Sequence, residues 1–179
     1  MTGHATTLAP KGALDSSGRT ALFCGSAASQ FNCVALLLQD DDSPAVLDHQ
    51  DFRGDTAIHA SSSGGANECL QLLLQSGAEV DIPNRKGQLA THVARDDLCL
   101  QTLIDHSGDV FGVDNVGRTT VFTACSNGRV SALRVLLDLD QDMLMLNLND
   151  DRGDTPLHAA SCNGHTECVR LLLQTMVNI

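Results

Sequence analysis

Two stretches of this chain are near copies of each other. "RGDTAIHASSSGGANECLQLLLQ" begins at Arg53 and "RGDTPLHAASCNGHTECVRLLLQ" at Arg152. Looser copies begin at Gly18 ("GRTALFCGSAASQFNCVALLLQ"), Gly87 ("GQLATHVARDDLCLQTLI") and Gly117 ("GRTTVFTACSNGRVSALRVLL"). The leading glycines are residues 18, 54, 87, 117 and 153, so the unit recurs at intervals of 36, 33, 30 and 36 residues. A chain of such units folds by stacking each on its neighbours, not around one wide core. Composition agrees, because apolar residues make up 42% of the chain but aromatics only 3%, with no Trp or Tyr. The core must then be thin layers of Leu, Val, Ala and Cys.

One unit can be read residue by residue. Asp and Gly three apart make a turn, at Asp15–Gly18, Asp51–Gly54, Asp114–Gly117 and Asp150–Gly153. Thr20, Thr56, Thr119 and Thr155 are placed to cap the helix that follows. Pro156 takes the first helical position, where its missing N–H costs nothing. The first helix is expected to end near Gly64, Gly128 and Gly164, each able to turn left-handed. In the second helix Val34, Leu70, Leu133 and Val169 stand three before a Leu-Leu pair, the spacing of a buried stripe. Two short helices cannot bury their faces alone, so the units must stack.

A period near 33 with a D-x-x-G-x-T-P-L-H opening, met five times, resembles the ankyrin repeat. The resemblance covers residues 15–179. It implies an all-α solenoid of about five stacked repeats, helix pairs joined by projecting β-turn or hairpin fingers. The expected repeats are 15–50, 51–83, 84–113, 114–149 and 150–179, the last truncated. Residues 1–14 are expected to be a disordered flank or a partial cap. The third repeat departs most, with Leu89 in the capping slot and Thr91 where Leu should pack, so it should be the least stable. The first and fourth repeats carry acidic extra segments, Asp40–Asp42 and Asp138–Asp142. The apolar "MLML" at Met143–Leu146 beside the second is expected either to tuck against the stack or to form an exposed patch.

Chemistry-bearing residues fall into structural slots when the copies are aligned. Cys162, His165 and Cys168 have metal-like spacing. Yet Cys168 shares its slot with Cys33, Cys69, Cys99 and Ala132, which describes a small buried hydrophobe. Cys33, Cys69 and Cys99 should lie one helix spacing apart, too far for disulfides. His59, His92 and His158 share a slot with Phe23 and Phe122, a packing position. The resemblance implies that these three histidines hydrogen-bond backbone and steady the turn. Arg53-Gly54-Asp55 and Arg152-Gly153-Asp154 spell an adhesion tripeptide, but their glycine is the turn residue of the repeat. No nucleophile motif and no phosphate loop occurs, so no enzymatic activity, metal or cofactor is expected.

The chain carries a formal net charge of −11, against nucleic acid as main partner. No stretch reaches the ~18 apolar residues of a membrane helix. Seven cysteines outside any CxxC pair and no signal-like N-terminus favour the cytoplasm or nucleus. The resemblance implies protein–protein recognition through finger tips and inner helices. The candidate contact residues are Arg19, Phe52, Arg53, Asp55, Arg85, Lys86, Gln88, Val116, Arg118, Arg152 and Asp154. Six of the eleven Lys and Arg lie on these tips, which suits an acidic or phosphorylated protein segment. The expected role is a non-catalytic recruiting module within a larger cytosolic protein, monomeric or weakly dimeric. The alternative is a spacer whose main contact is a second copy or a further part of its own chain.

Overall fold

The computed structural model describes residues 11–39, 44–139 and 144–177. The flank at residues 1–10, most of the acidic segments Asp40–Asp42 and Asp138–Asp142, and Asn178 and Ile179 lie outside them. Twelve helices are described, ten of which form five antiparallel pairs. The inner layer is α1 (Ala21–Ala27), α4 (Ala57–Gly64), α6 (Ala90–Val93), α8 (Thr120–Ser126) and α11 (Pro156–Cys162). The outer layer is α2 (Phe31–Leu37), α5 (Asn67–Gln75), α7 (Asp97–Asp105), α9 (Val130–Leu139) and α12 (Thr166–Val177). Each helix packs on its own partner and on the same helix of the next pair, which makes a solenoid. Among the described residues there is no strand, only an isolated bridge between Val113 and Thr119.

Four of the five inner helices start where the capping threonines predict. The hydroxyls of Thr20, Thr56, Thr119 and Thr155 accept from the N–H groups of Phe23, His59, Phe122 and His158. The helix breaks use Ser29, Gly65, Gly128 and Gly164 in the left-handed region. In the second pair α4 ends at Gly64 as expected, and the left-handed residue is the next one, Gly65. The leucine stripes meet in one continuous core, with Leu70, Leu73, Leu100, Leu103, Leu133, Leu136 and Leu172 all sealed from solvent. Burial of each stabilises the stack by roughly 1.5–3 kcal/mol.

The third pair is the irregular one. Its inner helix α6 is only 4 residues long. Leu89 makes no side-chain cap, and Ala94 leaves the helix at ψ 123°. Thr91, in the leucine slot, is buried and gives its hydroxyl proton to the carbonyl of Asp109 at 2.7 Å. The residues between α9 and the next finger form α10 (Leu144–Asn147), which buries Met145 and Leu146 and leaves Leu144 exposed. Of the "MLML" run, Met145 and Leu146 therefore tuck in and Leu144 does not, while Met143 lies outside the described residues. A matching short helix, α3 (Pro44–Leu47), buries Leu47 before the second finger.

One slot corrects the sequence reading. Cys69, Cys99, Cys168 and Ala132 are buried as expected for a small hydrophobe, but Cys33 is exposed. The others are covered by the preceding helix pair, and the first pair has none among the described residues.

Candidate functional site

The projecting fingers are built by one rule. The first residue of each finger turns its side-chain oxygen onto two backbone N–H groups of the same finger. Asp15 accepts from Ser17 and Arg19, Asp51 from Arg53 and Asp55, Asp114 from Val116 and Arg118, and Asp150 from Arg152 and Asp154, at 2.7–3.1 Å. In the third finger Asn84 does the same for Lys86 and Gln88. The fingers are also laced together. The N–H groups of Phe52, Arg85, Asn115 and Asp151 donate to the carbonyls of Ser17, Arg53, Lys86 and Val116, each in the finger before. This ladder fixes the row of tips relative to one another.

Glycine at the fourth finger position is required twice over. Gly54 has φ +80°, and a Cβ there would fall 2.6 Å from the backbone nitrogen of Arg85 in the next finger.

The histidine slot ties finger to helix to neighbour. Nδ1 of His59 accepts the N–H of Thr56, and its Nε2 lies 2.9 Å from the carbonyl of Gln88 in the next finger. Nδ1 of His92 accepts from Leu89, and its Nε2 meets the carbonyl of Arg118. Each ring is thus held neutral, with its proton on Nε2. Burial depresses the basicity of both imidazoles, and the bond from each Nε2 to a carbonyl only partly offsets that. His158 keeps the bond from Thr155 but stands exposed.

Between the fingers and the inner helices runs a groove. Over the first three pairs it encloses about 660 Å³, lined by Arg19, Arg53, Arg85 and Lys86 on the finger side and by Phe23, His59 and Ala60 on the helix side. Over the last two pairs a smaller hollow of about 310 Å³ is lined by Val116, Arg118, Arg152, Asp151 and Asp154, with His158 and Cys162 behind. The cations of the first groove outnumber its carboxylates, Asp51 and Asp55, whereas in the second hollow Arg118 and Arg152 face Asp150, Asp151 and Asp154.

The candidate contact residues divide by what already holds them. Arg19 and Arg118 fold back on their own fingers, bonding the carboxylates of Asp15 and Asp114 at 2.7 and 2.6 Å. Bonds from Arg19's side chain, then its N–H, hold the Asp15 carboxyl down to about 2. Burial pushes Asp114 up, but the bonds from Arg118 outweigh it and leave that carboxyl below its usual range. Asp55 accepts from the side chain of Asn84 at 2.8 Å. Gln88 gives its carbonyl to His59. Phe52 is exposed, its ring lying over Gly18 of the preceding finger. Arg53, Arg85, Lys86 and Arg152 carry side-chain charges with no partner among the described residues. Three of those four line the first groove. The sequence signal that separates paired from unpaired cations is short: Asp first and Arg fifth in the finger, as in Asp15/Arg19 and Asp114/Arg118.

The metal-like trio is dispersed. Cys168 is buried, Cys162 is exposed, and the Nε2 of His165 meets the carbonyl of Ser126 at 3.1 Å. Among the described residues no three His, Cys, Asp or Glu side chains are grouped to hold a metal. No described helix is long and apolar enough to cross a membrane.

Comparison with known proteins agrees with this architecture. A family model described as ankyrin repeats in three copies matches residues 89–179, and a single ankyrin repeat model matches residues 53–85. The probable E3 ubiquitin-protein ligase XBOS32 of Oryza sativa subsp. japonica is 31% identical over 167 residues, spanning 73% of this chain and 33% of that protein. The E3 ubiquitin-protein ligase XBAT33 of Arabidopsis thaliana is 29% identical over 187 residues, 86% of this chain and 36% of that protein. The B-cell lymphoma 3 protein homolog of Mus musculus is 30% identical over 150 residues, 79% of this chain and 32% of that protein. The chain thus spans about a third of the length of the curated relatives it matches.

Proposed function

Since the chain belongs to the ankyrin repeat family, whose repeats bind protein partners, we propose that it is a non-catalytic recruiting module whose first groove takes an acidic or phosphorylated protein segment. The observation that supports this reading is the convergence of unpaired Arg53, Arg85 and Lys86 on one groove of about 660 Å³, in a chain of net charge −11. Arg19 adds a fourth cation that its own Asp15 holds in place. Guanidinium forks on adjacent fingers can each grip a carboxylate or phosphate in two places. Exposed Phe52 offers an apolar contact beside them. The module would act within a longer protein in the cytoplasm or nucleus.

Three labelled ten-residue peptides test the proposal: one rich in Glu, the same with two phosphoserines, and one rich in Lys. The acidic and phosphorylated peptides should bind, more weakly as salt rises. Reversal of Arg53, Arg85 and Lys86 to Glu should weaken them tenfold or more, since each exposed pair contributes up to ~1 kcal/mol. Reversal of Arg152, in the second hollow, should change little. Equal binding of the Lys peptide, or indifference to the triple reversal, would sink the proposal.

A further inference from the structure

Each fingertip is shared by two consecutive fingers. The second residue of a finger donates its N–H to the carbonyl of the third residue of the finger before, as Phe52 does to Ser17, Arg85 to Arg53, Asn115 to Lys86 and Asp151 to Val116. Its side chain then lies across the glycine that follows that carbonyl. A Cβ on Gly18 would strike the ring of Phe52, and one on Gly87 would strike the side chain of Asn115. A Cβ on Gly54 would stand 3.1 Å from Cγ of Arg85, and one on Gly117 3.1 Å from Oδ1 of Asp151. The third residue of one finger and the second of the next therefore leave the backbone at one tip.

The tips so formed pair Ser17 with Phe52, Arg53 with Arg85, Lys86 with Asn115 and Val116 with Asp151. One of these four joins two cations. Arg53 and Arg85 are both exposed and both line the first groove. The carboxylates of that groove already accept elsewhere: Asp51 from the N–H groups of Arg53 and Asp55, and Asp55 from the side chain of Asn84. Among the described residues no ion pair joins either arginine. Asn115, at the next tip, spends its side-chain N–H on the Arg85 carbonyl. Two guanidinium groups held on one tip repel each other until an anion sits between them. A carboxylate brings one charge and two oxygens, enough for one fork. A phosphate monoester brings about −1.5 to −2 charge at pH 7 and three strong acceptor oxygens, enough for a fork from each side.

We propose, building on the groove reading above, that the Arg53–Arg85 tip is the seat of a phosphorylated side chain in the partner's segment. The neighbouring tips then set what flanks it. Adjacent repeats stand about 10 Å apart, a distance that an extended segment covers in about three residues. The exposed ring of Phe52 on one side meets an apolar side chain about three places from the phosphate. Lys86 on the other side meets a carboxylate about three places away in the opposite direction.

Labelled peptides with Leu, phosphoserine and Glu spaced three apart, made in both chain directions, test this against the same peptides carrying Glu in place of the phosphoserine. In one direction the phosphoserine peptide should bind the 179-residue protein about tenfold more tightly than its Glu counterpart. Arg53→Gln and Arg85→Gln should each abolish that preference, with thermal unfolding unaltered because both side chains are exposed. Lys86→Gln should instead weaken the phosphoserine and Glu peptides alike and keep their ratio. Equal binding of the two peptides would overturn this inference while leaving the acidic-segment reading in place, whereas binding of neither would remove both. A phosphoserine preference that survives the two arginine replacements would also overturn it. So would free phosphoserine that competes as strongly as the peptide, since the site would then take a small phosphate and not a segment.

Discussion

The second and third helix pairs occupy adjacent places in one stack yet are held by different means. The second forms its own helix ends: Thr56 caps α4, His59 braces the turn, and Gly65 closes an eight-residue helix. The third keeps only the histidine brace, from His92. Asn84 replaces the turn aspartate, Leu89 leaves the helix start uncapped, and α6 stops after one turn. The deficit is made up from outside. Arg129, in the interhelical turn of the fourth pair, sends Nη1 back to the carbonyls of His92 and Ala94 at 3.2 and 2.7 Å. Burial and the nearby Arg95 make its charge harder to hold, which marks how deeply it is inserted. In the neighbouring layers the same reach is milder: His165 touches the carbonyl of Ser126, and Arg95 that of Gly64. A repeat array can thus tolerate a defective unit if the next one supplies the missing end.

The sharpest way to break that comparison is Arg129→Ala. Charge-assisted bonds to half-buried carbonyls contribute roughly 1.5–3 kcal/mol, and the carbonyls left behind would be unsatisfied. A loss of about 2–3 kcal/mol in urea unfolding is expected, with amide exchange accelerated first in residues 89–105. His165→Ala, the matching change one unit on, should cost less than ~1 kcal/mol. Equal losses from the two would mean that the third pair does not depend on its neighbour more than the others do.

The next lever acts on both pairs at once. His59 and His92 are buried neutral, each with basicity lowered by burial. Where a folded-state pKa is depressed, the unfolded chain binds more protons in the window below the ordinary value. Stability is therefore complete above pH 6.5 and falls as pH drops beneath it. Between pH 6.5 and 5.5 the loss is at most ~1 kcal/mol per histidine. Urea unfolding at a series of pH values should show this slope. Replacing both with Phe, which already fills the slot at positions 23 and 122, should flatten it. A slope that survives the double replacement would place the titrating groups elsewhere.

What was legible in the sequence follows the range of each interaction. Caps, turn aspartates and leucine stripes are set within three or four residues, so Thr20, Asp51 and Leu70 could be read in place. The irregularity of the third unit was visible in Leu89 and Thr91. Its repair was not, because Arg129 lies 35 residues beyond the Ala94 carbonyl it holds. Nothing in the spacing marks that arginine; its slot holds Gln30, Ala66 and His165 elsewhere. The tip cations were legible as a row but not as a set with different duties. Only the fold shows Arg53, Arg85 and Lys86 converging on one groove while Arg19 and Arg118 face their own aspartates.

The smallest expected effect would erase the difference between the pairs instead of widening it. Leu89 already has the backbone of a capping residue, φ −82° and ψ 166°, close to the −92° and 174° of Thr56. Only the side-chain oxygen is missing. Leu89→Thr would place a hydroxyl where it can accept from the N–H of His92, as the other four caps accept from their third helical residue. A cap is worth about 1 kcal/mol. Part of it offsets lost packing, since Leu89 lies against Gly112. A net gain of about 0.5 kcal/mol is expected in urea unfolding, with slower exchange confined to α6 and the finger before it. A gain of the same size from Leu98→Thr, on the exposed face of α7, would show that replacing any exposed leucine by a hydroxyl suffices and that the cap is not the cause. In that case the third pair's weakness must lie in its missing helical turn alone.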